Sequence, residues 1–248
     1  MIYDQAEFDI RCEWGEQGVL HLAPVSDVVI IVDVLSFSTC VSIAAARGVE
    51  VFPCRDKGEA AEAFARSVDA ELATRRGAGG WSLSPASLTR APAGLRLVLP
   101  SPNGSTLTLA TGDTPTLVGC LRNARTVARA AVRLGTRIAV IPAGERWRTD
   151  WSLRPSVEDW LGAGAIIQHL LGSLSPEARM AADAFRSAEM EITAIIAGCS
   201  SGKELIAGGF GEDVALASDI DADRCAPLLK SRELASGEYA RYLIGAPF

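Results

Sequence analysis

Residues 27–34 read Asp27-Val28-Val29-Ile30-Ile31-Val32-Asp33-Val34. The run is apolar, β-branched and of strand length. That is the pattern of a strand covered on both faces, as in a parallel sheet. It ends in Leu35-Ser36-Phe37-Ser38-Thr39. The small residues from Cys40 to Arg47 then predict a helix, Gly48 a stop, and Val49-Glu50-Val51-Phe52 a second strand. This is a β-α-β unit. The alternation continues downstream. A helix is expected over 57–70, a long Gly/Ser/Pro loop over 74–92, strands over 95–99 and 116–118, and a helix to about Leu134. Another strand is expected over 137–141, a second loop over 145–155, a helix from Ser156 to Leu171, a mostly helical stretch over 176–208, and a short strand over 214–217. Ser156-Val157-Glu158-Asp159 fits a capping box. Strands alternating with helices predict an α/β fold, layered α/β/α with a largely parallel sheet. The reading is a single catalytic domain over 1–248, or two lobes of it meeting near residue 120.

The composition fits this. A hydrophobic fraction of 48% and a charged fraction of 22% allow a sizeable core in 248 residues. The net charge of -6 argues against nucleic acid as a partner, which calls for a basic face. No membrane partner is expected either, because the longest apolar run, 28–34, is far too short to span a bilayer. The amino terminus carries no basic and apolar leader pattern, so a cytoplasmic location is expected. The six cysteines form no C-x-x-C pair and read as free buried thiols.

In open α/β sheets, ligands bind beyond the carboxyl ends of the strands. Here each strand end runs into a polar loop, and a parallel sheet would bring these loops to one edge. Asp33 ends the first strand. A carboxylate in an apolar strand costs several kcal/mol unless it is paired, hydrogen-bonded or bound to metal. It reads as a magnesium ligand, as a phosphoryl-accepting nucleophile, or as a cap of the helix that follows. Ser36, Ser38 and Thr39 open that helix, and a helix start with hydroxyls suits a phosphate oxyanion or plain capping. Asn103-Gly104-Ser105 is a turn after a buried strand and an anion-binding candidate. Arg122-Asn123 follows the next strand, with Arg122 a clamp for a phosphate or sulfonate or part of a solvated helix face. Glu158 and Asp159 are candidate metal ligands or ordinary first-turn acids. No G-x-G-x-x-G follows the first strand, which counts against a dinucleotide cofactor.

Four stretches in order resemble one family. They are Ile31-Val32-Asp33-Val34-Leu35; Leu99-Pro100-Ser101-Pro102-Asn103-Gly104-Ser105; Gly119-Cys120-Leu121-Arg122-Asn123-Ala124; and Ala143-Gly144-Glu145 leading to Ser156-Val157-Glu158-Asp159 and Gly162-Ala163-Gly164. Together they resemble the 2-phosphosulfolactate phosphatases of coenzyme M biosynthesis. The resemblance implies Mg²⁺-dependent hydrolysis of a phosphate monoester of a small acid. It implies Asp33, Glu158 and Asp159 as catalytic and metal-holding residues. Ser36, Ser38, Thr39, Asn103, Gly104, Ser105, Arg122 and Asn123 are expected around the substrate, and a homodimer fits the habit of many such enzymes. Two positions depart from the family pattern. Ser36 stands where an Arg usually follows D-V-L, and 75–85 keeps only Ser84-Pro85 of a G-N-S-P motif. These departures leave room for an alternative, a non-catalytic small-anion or nucleotide-binding module on the same scaffold.

Overall fold

In the computed structural model, which describes residues 2–246, strands and helices alternate almost throughout. β1 (Ile10–Cys12) and α1 (Gly15–Leu22) precede β2 (Val28–Val32), α2 (Phe37–Ala46), β3 (Glu50–Cys54), α3 (Glu59–Ser67), β4 (Glu71–Leu72) and α4 (Pro85–Leu88). Then come β5 (Arg96–Pro100), α5 (Gly104–Ala110), β6 (Thr116–Gly119), α6 (Ala124–Leu134), β7 (Ile138–Pro142) and a small hairpin, β8 (Glu145–Arg146) with β9 (Leu153–Arg154). Helices α7 (Val157–Ile167), α8 (Pro176–Ala188), α9 (Ile192–Gly198), α10 (Ser200–Ala207) and α11 (Gly211–Ala217) follow, and strands β10 (Ala226–Glu233) and β11 (Tyr239–Ala246) close the fold.

The first strand behaves as its sequence requires. β2 pairs in parallel with β6 on one side and β7 on the other, and every one of its residues is buried. Val28, Ile30 and Val32 pack with the α6, α7 and α8 side chains, while Val29 and Ile31 pack with α1 and α5. Helices on both faces make the layered α/β architecture, and the sheet is mixed but mostly parallel. Among the described residues no helix is long and apolar enough to cross a membrane. All six cysteines are buried and free.

The sheet order is β1-β7-β2-β6-β10-β11-β3-β5-β4. It corrects two expectations. The strands flanking α2 are not neighbours, because the β10–β11 hairpin lies between β6 and β3. The strands also do not share one carboxyl edge. β10 runs antiparallel to β6, β11 antiparallel to β10, and β3 antiparallel to β11. The β3-β5-β4 set therefore runs opposite to the β1-β7-β2-β6 set. The hairpin joins the two sets through the pairs Leu228 with Leu117 and Leu243 with Val51.

Three local expectations also change. Residues 214–217 are helical, in α11, where Asp213 lies in the first turn. The stretch 74–92 is not structureless: Thr74 bridges Ser82 and α4 follows. The second loop contains the β8–β9 hairpin. The Gly162-Ala163-Gly164 run has a packing reason. A Cβ on Gly162 would come 2.6 Å from Val34 Cγ2, and one on Gly164 would come 2.0 Å from the Ala181 carbonyl oxygen. Without these hydrogens-only positions α7 could not lie so close to β2 and α8.

Candidate active site

Asp33 leaves the end of β2 into a buried turn. Its Oδ1 accepts the Phe37 N–H at the start of α2 (3.2 Å), and its Oδ2 accepts the Gly104 N–H at the start of α5 (2.9 Å). Helix starts present unpaired N–H groups and a partial positive charge, so one carboxylate joins two of them. Gly104 makes the junction possible: a Cβ there would come 2.2 Å from the Phe37 ring. The Asp33 N–H in turn donates to Ser38 Oγ (2.9 Å). Despite these bonds, burial first and then the Glu145 charge push the Asp33 carboxyl up to about 7.

Asp159 joins the other two turns. Its Oδ1 accepts from Val34 N (2.7 Å) and its Oδ2 from Gly144 N (2.8 Å). Gly144 has φ +69°, a conformation that favours glycine, and a Cβ there would also meet Leu153 at 2.7 Å. Ser156 does occupy the N-cap position of α7, but no capping box forms. The acid three residues on, Asp159, has its oxygens on these neighbouring turns instead. Burial raises the Asp159 carboxyl well above its ordinary value, and the nearby Asp33 and Glu158 charges add to this. Glu145 sits just past β7, and its Oε2 accepts from Asn103 Nδ2 (3.1 Å). Burial raises its carboxyl too. Glu158 is buried and lies against the Cys199 thiol, which burial and that carboxylate push up to about 11.

Asp33, Glu145, Glu158 and Asp159 thus form one largely buried acid cluster. Among the described residues none of the four has an ion-pair partner within 4 Å. Among the described residues no three or more His, Cys, Asp or Glu stand close enough together to hold a metal ion jointly, so an ion here would take only one or two of these carboxylates. Buried carboxylates without counter-cations are costly. A hard, oxygen-seeking divalent ion suits such a donor set. Magnesium in particular is held by one or two carboxylates and keeps waters and phosphate oxygens for the rest.

The remaining expected residues are near, with their roles sorted by their bonds. Thr39 Oγ1 donates to Val34 O (2.7 Å), Ser38 Oγ to Ile31 O (3.3 Å), and Ser105 Oγ to Leu99 O (2.9 Å). Asn123 Oδ1 accepts from Cys120 N (2.9 Å). These groups brace the turns. Arg122 is anchored away from the acids: Nε and Nη2 go to Asp223, and Nη1 to Asp219 and the Leu216 carbonyl. Its guanidinium ties the turn before α6 to α11 and the segment after it, and is not a free clamp. Ser36, by contrast, meets a cation that the sequence reading did not single out. Arg76 Nη2 donates to Ser36 Oγ (3.0 Å), while Arg76 Nη1 pairs with the buried Asp213. Asp213 Oδ1 also accepts from Ser84 Oγ (2.6 Å) and Ala86 N (2.9 Å), which fixes the 75–85 loop over the start of α2. Nothing in the spacing of Arg75-Arg76-Gly77 marks Arg76; a contact across 137 residues decides it. Cys40 and Cys120 are poor nucleophile candidates, since burial raises both thiols, Cys120 to about 11.

The model of the 2-phosphosulfolactate phosphatase family matches residues 17–232. The chain belongs to this family. It is also 32% identical over 196 residues to a 2-phosphosulfolactate phosphatase of Methanothermobacter thermautotrophicus, with 76% of this chain and 80% of that protein covered. The part matched to the 2-phosphosulfolactate phosphatase family contains every acid of the cluster and Arg76. The printed names of the family and of this relative are those of phosphatases, which hydrolyse phosphoric monoesters.

Proposed function

We propose that this chain hydrolyses a phosphate monoester of a small acid, 2-phosphosulfolactate or a close analogue, with Mg²⁺ held at the acid cluster. The observation that carries the reading is the cluster itself: Asp33, Glu158 and Asp159 buried beside the partly buried Glu145, with no ion-pair partner among the described residues. Family membership supports it independently.

Asp33 and Glu158 would hold the ion, which supplies positive charge to the phosphoryl oxygens. Asp159 would hold the turns that aim the other acids through Val34 N and Gly144 N and, like Asp33, keeps lone pairs for the ion. Glu145 takes the proton of the attacking water. Its raised pKa brings it toward neutrality, where a general base works best, and its bond to Asn103 fixes its direction. The water oxygen bonds to phosphorus as the ester P–O bond breaks, and the alkoxide that leaves takes a proton from solvent water. Arg76, whose Nη2 donates to Ser36 three residues after Asp33, would offset part of the charge that builds on the phosphoryl oxygens. Asp33 has each oxygen on a backbone N–H already, which favours it as a holder over a covalent nucleophile. Single-turnover quenching tests this: no phospho-aspartate should accumulate, whereas its trapping at Asp33 would reassign that residue.

The test of the reading is phosphate release with and without Mg²⁺, together with a thermal-shift titration of the ion. Mg²⁺ should raise the melting temperature of the wild type and raise it much less in Asp33→Asn. A shift of equal size in both would remove Asp33 from the ion's site.

A further inference from the structure

Of the four acids, Glu145 also lines a groove of about 910 Å³, with Trp147, Arg154, Ser200, Arg146 and Arg148. Directly paired residues of an antiparallel hairpin stand side by side on one face. In the β8–β9 hairpin Glu145 is paired with Arg154, so this guanidinium emerges next to the acid that borders the reacting centre. Its charge is felt there, since it lowers the Glu145 pKa against the effect of burial.

Three arginines reach this groove, and two of them are paired. Arg146 pairs with Glu16 at 3.7 Å and donates to the Trp151 carbonyl. Arg148 pairs with Glu204. Arg154 has no ion-pair partner among the described residues. It donates to Ser201 Oγ (3.1 Å), and its guanidinium lies 5.9 Å from the centre of the Trp147 ring. The ring and the hydroxyl fix the plane of the guanidinium and leave other N–H donors for a ligand. A planar fork of this kind suits a two-oxygen anion.

We propose that Arg154 binds the second anionic group of the substrate, the carboxylate or sulfonate remote from the phosphate, and that the β8–β9 hairpin is the specificity element. The proposal rests on the phosphatase reading. It also explains the hairpin's placement, with the phosphoryl end at Asp33 and Arg76 and the acid end at Arg154, on either side of Glu145.

The experiment has two parts, so that failure of one reading is told from failure of the other. Phosphate release is compared for 2-phosphosulfolactate, phospholactate and a phosphate ester with no second charge. Arg154→Ala should raise KM at least about 30-fold for the first two and leave the KM of the third unaltered, while any change in kcat, which would come through the Glu145 carboxyl, should be shared by all three; about 2 kcal/mol of binding is what one charge-assisted hydrogen bond gives. Arg154→Lys should recover only part, because a point charge lacks the fork. Separately, sulfolactate, lactate and inorganic phosphate are titrated against tryptophan fluorescence. Sulfolactate should change the signal in the wild type, Arg154→Ala should weaken its binding by a similar factor, and Trp147→Phe should remove most of the change. If no ester is turned over, the fluorescence titration still decides the Arg154 assignment. Sulfolactate binding equally to wild type and Arg154→Ala overturns it. So does inorganic phosphate whose binding depends on Arg154 as strongly, since Arg154 would then belong to the phosphoryl end. Both esters affected assigns it the carboxylate that they share; 2-phosphosulfolactate affected with phospholactate unaffected assigns it the sulfonate.

Discussion

Asp33 is the residue on which the account turns, and its environment gives it a measurable signature. Its carboxyl is pushed up to about 7, by burial first and the Glu145 charge second. An unfolded-chain Asp titrates near 3.9. Between those values the folded chain holds a proton that the unfolded chain has lost, so this group makes stability fall as pH rises through the window. The melting temperature of the metal-free protein should therefore drop from pH 5.5 to pH 8, and in Asp33→Asn the drop should be shallower. Parallel drops in thermal scans with EDTA would mean that other groups cause it. Asp159 acts differently. Asp159→Ala would leave the Val34 and Gly144 N–H groups buried without partners, at a cost of about 1–3 kcal/mol each. Chemical unfolding should show a loss of that size, and the turnover rate should fall as well because two of the turns that aim the acids are released. Glu145→Gln should leave folding nearly unchanged, since the amide oxygen can still accept from Asn103, yet lower kcat about 100-fold or more. An unaltered kcat would remove Glu145 as the base.

At the scale of elements, close approach sets the site. α2 and α5 start within contact of each other because position 104 is Gly, and α7 lies on α8 because position 164 is Gly. Gly164→Ala would place a methyl 2.0 Å from the Ala181 carbonyl oxygen, a backbone atom that cannot swing away. A loss of about 1–3 kcal/mol is expected, as for other overpacked cores, read as a lower denaturation midpoint with an unchanged slope. Much of this was legible in the chain. The buried run 28–34 marks β2, and Asp33 stands out as a charge at its end. Asn103, Glu158 and Asp159 stand after strands or at helix starts, where hydroxyls, amides and acids carry meaning. What was not legible depends on distant partners. Arg122 has the look of a clamp, yet Asp219 and Asp223, about a hundred residues on, hold its guanidinium. Arg76 looks like loop, yet Asp213 delivers it to Ser36. Residues 214–217 have apolar, strand-like composition, but packing of α11 against α4 and α9 decides helix.

Over the whole molecule, the C-terminal hairpin joins two sets of strands that run in opposite senses. Sequence periodicity could not show this, because the direction of β3 and β5 is inherited through β10 and β11, which close the chain more than a hundred residues later. The turn itself carries a signal in Ser236-Gly237, where Gly237 has φ +81°. The hairpin packs Leu229 and Leu243 with the α2 side chains and Ala240 with those of α3. A chain cut after Cys225 would expose both the β6 and β3 edges. It should lose cooperative unfolding and aggregate, as judged by circular dichroism and gel filtration. A truncated chain that melts cooperatively as a monomer would mean the two halves cohere without it.

The central claim is that the acid cluster hydrolyses a phosphate ester with Mg²⁺. Phosphate release from a panel of small phosphoesters, including 2-phosphosulfolactate and phospholactate, with and without Mg²⁺, for wild type and Asp33→Asn, tests it most directly. The account predicts Mg²⁺-dependent release that the substitution reduces at least about 100-fold, a loss typical of removing one group that stabilises the transition state. No release from any ester by the folded, Mg²⁺-supplied wild type, or release that Asp33→Asn leaves intact, would contradict it.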